Sequence, residues 1–146
     1  MDKQMPLGRE IHLTSSAIEC YISKNITGSD PAKLTGIEAM TLSFLFELKK
    51  PAMMRDVMDH FHIAKATASQ TLTNLERKGM ILQKSTEDDK RKKMIYLTED
   101  GKKIKESYDQ KFSVMNAIVE EGITDEEKEV FRKVVLKIRC NLGRDY

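Results

Sequence analysis

The chain has 146 residues, 40% of them hydrophobic and 33% charged, with a net charge of +2. This length suits one domain with a substantial core, and only 7 Gly and 3 Pro indicate a helix-rich fold. No apolar run of about 18 residues is present, which excludes a membrane-spanning helix. Because the N-terminus lacks a signal-peptide layout, we expect a cytoplasmic protein. Cys20 and Cys140 have no CxxC spacing, so no disulfide framework is expected.

Two helices are predicted over the first third of the chain. An apolar stripe predicts the first over residues 6–26, and the polar segment 27–33 separates it from the second. Thr35 followed by Glu38 forms a capping box, which begins the second helix, and Pro51 ends it. The apolar positions that recur along this helix are Ile37, Met40, Phe44, Leu45 and Leu48.

A short helix and a longer one are predicted next, on either side of a tight break at residues 62–64. The inward positions of the short helix, over residues 53–61, are Met54, Val57, Met58 and Phe61. The helix over residues 65–78 has one narrow apolar stripe, formed by Ala68, Leu72, Leu75 and Gly79. Its opposite face is small or hydrogen-bonding, with one arginine: Ala66, Ser69, Gln70, Thr73, Asn74 and Arg77.

That opposite face suits the reading of base edges, which needs donors, acceptors and side chains small enough to enter a groove. We predict base readout by Ser69, Gln70 and Thr73. The amide of Gln70 can pair bidentately with adenine. Four further side chains are predicted to hold phosphates, which fix register without reading sequence: Lys65, Thr67, Asn74 and Arg77.

Two strand candidates, residues 80–84 and 94–97, flank a polar loop that is longer than an ordinary hairpin turn. Arg91 is predicted to reach phosphates or a narrow minor groove, where negative potential is concentrated. Asp89 is predicted to hold the Arg91 guanidinium through a charge-assisted hydrogen bond. The loop residues predicted to contact DNA are Asp89, Lys90, Arg91, Lys92 and Lys93.

The last two helices are also marked by capping residues. Thr98, followed by two acidic residues, is predicted to cap the first of these two helices. Gly122 interrupts the apolar stripe of that helix. Thr124 and Glu127 form a second capping box before the final helix. The resulting order of helices, tight break, helix and hairpin predicts a mainly α fold with a small β-hairpin wing, a winged helix-turn-helix.

The charge is unevenly distributed. Residues 65–105 carry eleven Lys/Arg against six Asp/Glu, a net +5, which leaves −3 for the rest of the +2 chain. A positively charged middle segment between negatively charged flanking segments favours a local docking surface for a polyanion. A solvated charged face is the alternative that charge alone leaves open.

Three segments give the chain a clear resemblance to the MarR (multiple antibiotic resistance) regulators: "LTGIEAMTL", "KATASQTLTNLERKGMI" and "DDKRKKMIYLTEDGKKI". The wing of that family has Asp-x-Arg, then a strand ending in Leu-Thr, then a helix that opens with an acidic residue and Gly. Asp89, Arg91, Leu97, Thr98 and Gly101 occupy those positions here, and the similarity extends over nearly the whole chain.

The resemblance implies a single MarR-type domain over residues 1–146, with a DNA-binding lobe at 34–98 and a helical dimerisation region at 1–33 and 99–146. It implies a homodimeric transcriptional repressor on a near-palindromic double-stranded operator, and often a small aromatic or phenolic ligand that weakens DNA binding. No cofactor is expected. The chain departs from the family at His62 and Ala64, where Gly and Ser are common, so a less stable turn is predicted.

Other chemistries find little support in the sequence. No nucleophile with a base, phosphate-cradling Gly loop or paired carboxylates form a recognisable motif, so an enzyme is not expected. His12, His60 and His62 lack zinc-ligand spacing, and no metal site is predicted. Some MarR relatives sense peroxide through a cysteine whose position falls near Ile11 here, so Cys20 is predicted to be a packed, inert thiol. The remaining alternative is a winged-helix module that binds another protein and no DNA.

Overall fold

A computed structural model describes residues 4–28 and 30–144, so Ser29 of the predicted polar segment lies outside the described part. The elements are α1 Leu7–Ile22, a π-helical turn Ser23–Thr27, α2 Gly36–Glu47, α3 Met54–Phe61, α4 Lys65–Arg77, β1 Ile81–Ser85, β2 Lys93–Leu97, α5 Glu99–Glu120 and α6 Asp125–Asn141. This mainly helical architecture with one antiparallel hairpin confirms the predicted fold class. The chain divides into two compact units, residues 1–112 and 113–146. No helix within the described ranges has the length and apolarity to cross a membrane.

The start of α2 is the predicted capping box. The Glu38 N–H donates to Thr35 Oγ1 at 3.3 Å, and the Thr35 N–H donates to Glu38 Oε2 at 3.1 Å. The predicted apolar stripe is partly wrong, because Met40 is exposed while Thr41 and Leu42 are fully buried. Since α2 packs against both α4 and β2, it is buried on more than one side and no single stripe describes its core face.

The turn between α3 and α4 has the two predicted departures from the MarR pattern. His62 adopts a left-handed conformation with φ 52°, as a residue in the place of Gly must. Ala64 precedes α4 and offers no side-chain cap. At the other end of α3, the Asp56 carboxylate accepts the Met53 N–H at 2.8 Å, which starts the helix one residue later than predicted. Of the predicted inward positions, Val57 is buried and the other three are half-buried.

The core of residues 1–112 is centred on α4. Its side chains Ala68, Leu72 and Leu75 are at most 1% exposed, as the apolar stripe predicts. The hairpin pairs Ile81 with Leu97 at one end and Ser85 with Lys93 at the other, and we call this hairpin and its loop, residues 86–92, the wing. The Ile95 N–H also donates to the Ala52 carbonyl at 2.7 Å, a third-strand bridge that the sequence did not predict.

A second buried group lies on α5. Tyr108 is 0% exposed. Burial raises the pKa of its hydroxyl, and the nearby carboxylates of Asp30 and Glu38 raise it further. The raised pKa keeps the hydroxyl neutral up to a more alkaline pH than that of an exposed tyrosine.

The hairpin joins α5 through Thr98. The Thr98 hydroxyl donates to the Gly79 carbonyl at 2.7 Å and accepts the Gly101 N–H at 3.0 Å. The Thr98 N–H donates to the Met80 carbonyl at 3.1 Å. Thr98 thus caps α5, as predicted, and also ties its first turn to the segment that leads into β1.

Residues 113–146 contain the end of α5 and all of α6. Thr124 and Glu127 form the predicted capping box, and Gly122, with φ 75°, turns the chain between the helices. The Lys128 ammonium contacts the Glu120 carboxylate at 2.6 Å, which links the two helices. No residue of α6 is buried, and its exposed apolar side chains include Val130, Phe131, Val134 and Leu136.

Both cysteines are exposed free thiols in the described chain. The prediction that Cys20 is packed is therefore wrong for the single chain. Of the residues of α1, Ile22 is the one that is buried.

Candidate nucleic-acid interface

The outer face of α4 is open to solvent over its whole length. Six of the seven predicted contact residues on this helix are exposed, and Asn74 is half-buried: Lys65, Thr67, Ser69, Gln70, Thr73, Asn74 and Arg77. The Gln70 amide donates to the Asn74 side-chain oxygen at 3.0 Å, so one side chain orients the other along the helix axis. The face can therefore lie in a groove with its hydrogen-bonding groups already directed outward.

The loop of the wing is closed by hydrogen bonds among its own residues. Thr86 donates through its N–H to the Lys92 carbonyl at 3.1 Å and through its hydroxyl to the Asp89 carbonyl at 2.9 Å. The Lys92 N–H donates to the Asp89 carbonyl at 3.1 Å. These bonds give the loop a defined shape, which presents Lys90, Arg91, Lys92 and Lys93 as exposed cations.

Asp89 acts on the backbone of the loop. Its Oδ1 accepts the Arg91 N–H at 2.9 Å. Within residues 4–28 and 30–144, no ion pair joins this carboxylate to the Arg91 guanidinium, so the predicted contact between the two side chains is wrong. A short acidic side chain readily accepts the backbone N–H two residues on. This arrangement shapes the turn and leaves the Arg91 side chain exposed.

A groove of about 400 Å³ joins α4 to the wing. Ser69 and Thr73 line it from the helix, and Arg91, Lys92 and Lys93 line it from the wing. The structure thus brings two of the three predicted base readers together with three of the predicted wing residues. The other predicted residues of α4 lie on the same helix but do not line the groove, and Asp89 and Lys90 lie in the adjoining loop.

Two polar residues of the groove were not predicted from the sequence. Arg55 lines it from the first turn of α3, and Gln83 lines it from β1. Arg55 makes a long, exposed contact with Asp59, at 3.9 Å, and such a contact leaves its guanidinium available to an anion. A single arginine on a short helix gives no signal in the sequence, because only the packing of α3 against α4 brings it to this groove.

Glu76 links the end of α4 to the wing. Its carboxylate accepts the Gln83 N–H of β1 at 2.7 Å. At the end of α4, the Lys78 ammonium donates to Glu38 Oε2 at 2.7 Å and to the Lys33 carbonyl at 3.0 Å. These bonds connect the end of α4 both to the wing and to the start of α2.

His60 packs against aromatic rings. His60 stacks on the Phe44 ring with centroids 4.0 Å apart and meets the Phe61 ring edge-on. Across the part of the chain that the structure describes, no three His, Cys, Asp or Glu residues are grouped as a metal ion would require.

Helices α3 and α4 form a helix-turn-helix, and the exposed face of α4 lies beside a basic hairpin. This arrangement defines the chain as a winged-helix DNA-binding protein. A family model described as transcriptional regulator SarA/Rot matches residues 26–108, and the chain belongs to this family of transcriptional regulators. Among curated proteins it is 26% identical to the uncharacterized HTH-type transcriptional regulator YybA of Bacillus subtilis (strain 168), over 94% of this chain and 89% of that protein.

Solved structures confirm the fold that the resemblance to MarR regulators implies. The MepR chain of the S. aureus MepR–DNA complex aligns with a TM-score of 0.84 and 22% identity, over 94% of this chain and 99% of MepR. PcaV from Streptomyces coelicolor, in complex with its natural ligand, aligns with a TM-score of 0.81 and 16% identity, over 94% of each chain. MarR itself aligns with a TM-score of 0.71 and 19% identity, over 99% of this chain and 95% of MarR.

Proposed function

We propose that this regulator is a homodimeric repressor that binds a near-palindromic operator and acts by binding, without catalysis. The observation that carries the proposal is the groove that places Ser69 and Thr73 beside the cations of the wing. Base contacts from α4 would supply sequence preference, and Arg91 and its neighbours would hold the phosphates or the flanking minor groove. In this proposal residues 34–98 form the DNA-binding lobe, and the protein binds DNA in the cytoplasm.

The dimer rests on the apolar residues of the terminal helices, in residues 1–33 and 99–146. Most of the stability of a helix in a protein comes from the packing of its apolar face, yet no residue of α6 is buried and Phe131 is 63% exposed. On α1, Leu7 and Leu13 are 64% and 51% exposed. A second copy of the chain would cover these side chains. The two α4 helices of the dimer would then enter successive major grooves about 34–36 Å apart.

We expect sedimentation equilibrium to give twice the mass of one chain across the micromolar range. Burial of the apolar side chains of α1 and α6 drives this association, so high salt should not dissociate it. A mass of one chain under the same conditions would contradict the dimer, and would also predict that the operator holds independent single copies.

The proposal includes a small aromatic or phenolic effector that releases the protein from DNA. Its support is the structural similarity to PcaV, whose solved structure holds its natural ligand. A panel of aromatic acids and phenols, added to a preformed protein–duplex complex, tests it by the loss of anisotropy.

The central experiment is a fluorescence-anisotropy titration onto duplex from upstream of the gene for this protein, beside a scrambled duplex, at several salt concentrations. Tight binding that prefers the upstream duplex is expected, weakening by about 0.9 log units per log of salt for each phosphate neutralised. Equal, weak binding of both duplexes and of unrelated operators would favour the rival function, a winged helix that binds only proteins.

Arg91→Ala is expected to weaken binding to preferred and scrambled duplex alike. Since the guanidinium is exposed and unpaired with Asp89, its loss should remove one phosphate contact and flatten the salt slope by about 0.9. Anisotropy titrations at several salt concentrations measure the slope. Lys24→Ala, an exposed cation of the π-helical turn, is the control and should leave the slope unchanged.

Gln70→Ala is expected to weaken binding to the preferred duplex only, by about 1–3 kcal/mol. The loss reflects one bidentate base contact, which Asn74 helps to orient through its 3.0 Å hydrogen bond. Competition between the two duplexes measures the discrimination. Arg77→Ala is the comparison, because a phosphate contact should weaken both duplexes equally. Equal losses for Gln70→Ala would refute its role as a base reader.

A further inference from the structure

An exposed apolar surface lies on the side of the wing that faces away from the α4 groove. Leu82 and Tyr96 are directly paired across the hairpin and are 48% and 41% exposed. Successive side chains of a strand point to opposite faces. Gln83 lines the groove, so its neighbour Leu82 and the paired Tyr96 point away from it.

The end of α2 continues this surface. Phe46 is 39% exposed, and a shallow cavity of about 390 Å³ is lined by Phe46, Pro51 and Tyr96. Three exposed large apolar side chains so close together form a patch of the kind that marks interaction sites. This patch shares no residue with the groove between α4 and the wing.

Lysines surround the patch. Lys49 and Lys50 line the cavity, and the Lys84 ammonium lies 5.8 Å from the centroid of the Tyr96 ring. Among the residues that the structure describes, none of these three ammonium groups forms an ion pair. Lys49 also adopts a left-handed conformation with φ 52°, a strained choice where Gly or Asn would cost less. We call the set Phe46, Lys49, Lys50, Leu82, Lys84 and Tyr96 the lysine-rimmed face.

The ring faces are poorly placed for nucleic-acid bases. A single-stranded nucleic acid would need open aromatic faces on which to stack. The Lys105 ammonium, however, lies 4.1 Å from the Phe46 ring centroid, and Lys84 lies over Tyr96. Apolar edges bordered by cations instead match a protein segment in which carboxylates alternate with apolar side chains.

We propose that the lysine-rimmed face docks an acidic segment of a partner protein that carries an aromatic or aliphatic side chain. The apolar side chain enters the cavity between Phe46 and Tyr96, and flanking carboxylates pair with Lys49, Lys50 and Lys84. Because this face points away from the α4 groove, the partner and DNA bind at the same time. The regulator can thereby hold a second protein at the operator.

The test uses the full chain and a short fluorescein-labelled peptide in which Asp and Glu alternate with Phe and Leu. Two comparison peptides replace either the apolar residues by Ser or the acidic residues by their amides. The protein variants are Leu82→Ser and Lys50→Glu, both at exposed positions, with Lys24→Glu as the charge-matched control. Each variant is also titrated with the upstream duplex.

We expect the acidic-apolar peptide to bind and both comparison peptides to bind more weakly. Leu82→Ser and Lys50→Glu should each lower its affinity by about fivefold or more, as truncation of a contributing interface residue does. Lys24→Glu should have no comparable effect, and all three variants should keep the affinity for duplex.

Several results would overturn the proposal. They are the absence of peptide binding, equal binding of the acidic peptide without apolar residues, or an equal loss in Lys24→Glu. If Leu82→Ser and Lys50→Glu instead weaken duplex binding, the face belongs to the DNA interface. Failure of the wild-type chain to bind duplex would count against the proposed function and leave the peptide result to stand by itself.

Discussion

Replacement of Glu38 by alanine is expected to lower the free energy of unfolding by about 3 kcal/mol, since it removes a charged hydrogen bond to Lys78 together with a helix cap. Its side chain is 2% exposed and accepts the Lys78 ammonium at 2.7 Å. It also accepts the Thr35 N–H at 3.1 Å, so the capping box of α2 is lost in the same variant. Urea-induced unfolding, followed by circular dichroism, measures the change.

The matched control is an exposed carboxylate in an ion pair. Asp59 pairs with Arg55 at 3.9 Å and is 75% exposed, so Asp59→Ala should cost no more than about 1 kcal/mol. The double variant Glu38→Leu with Lys78→Met should be less destabilised than the sum of the two single variants, because no buried charge remains. A Glu38→Ala loss as small as that of Asp59→Ala would refute the role of this pair.

The pair matters for function because of the elements that it joins. Glu38 begins α2, and Lys78 follows the last residue of α4. Through Lys78 the end of α4 is also held to the Lys33 carbonyl at 3.0 Å. Loosening this end would let the exposed face of α4 shift relative to the wing. We therefore expect Glu38→Ala to weaken DNA binding even at temperatures where the chain stays folded.

Gly101→Ala is expected to destabilise the chain by about 3 kcal/mol, at the upper end of the cost of overpacking. A Cβ at this position would overlap the Met80 carbonyl oxygen and lie 3.1 Å from its carbon. Both partners are backbone, held by the bond from the Thr98 N–H to the Met80 carbonyl at 3.1 Å. Relief of the overlap would therefore have to move the first turn of α5 away from the hairpin.

Gly8→Ala is the control for Gly101→Ala, because a Cβ at Gly8 meets nothing within 4 Å. Alanine normally stabilises a helix relative to glycine by about 0.5–1 kcal/mol. The two substitutions are thus expected to shift the unfolding midpoint in opposite directions. Equal midpoints for the two variants would show that the contact with Met80 relaxes without cost.

Local features of the chain were predictable because their causes are local. The capping boxes at Thr35 and Thr124 need two residues three positions apart, and both are present in the structure. The buried stripe of α4 follows from helical spacing alone, since one side of that helix meets the core. The resemblance to MarR regulators rested on the same kind of contiguous motif, at the end of α4 and in the wing.

Long-range contacts were not predictable, because they depend on which elements meet. The bridge between Ala52 and Ile95 and the salt bridge between Glu38 and Lys78 join residues far apart in the chain. The α2 stripe failed at Met40 because α2 packs on two sides. Asp89 was predicted to bind the Arg91 guanidinium, but its carboxylate accepts the nearer backbone N–H of Arg91 instead.

The sequence by itself determined the class of the protein: its helices, its hairpin, its basic middle and the family that these motifs define. Tertiary structure alone decided which side chains share a surface. It brought Arg55 and Gln83 to the groove beside Ser69 and Thr73, and it set Leu82 and Tyr96 on the opposite side of the hairpin. The physical reason is that periodicity and capping act over a few residues, whereas a binding surface is assembled by packing between elements that are distant in sequence.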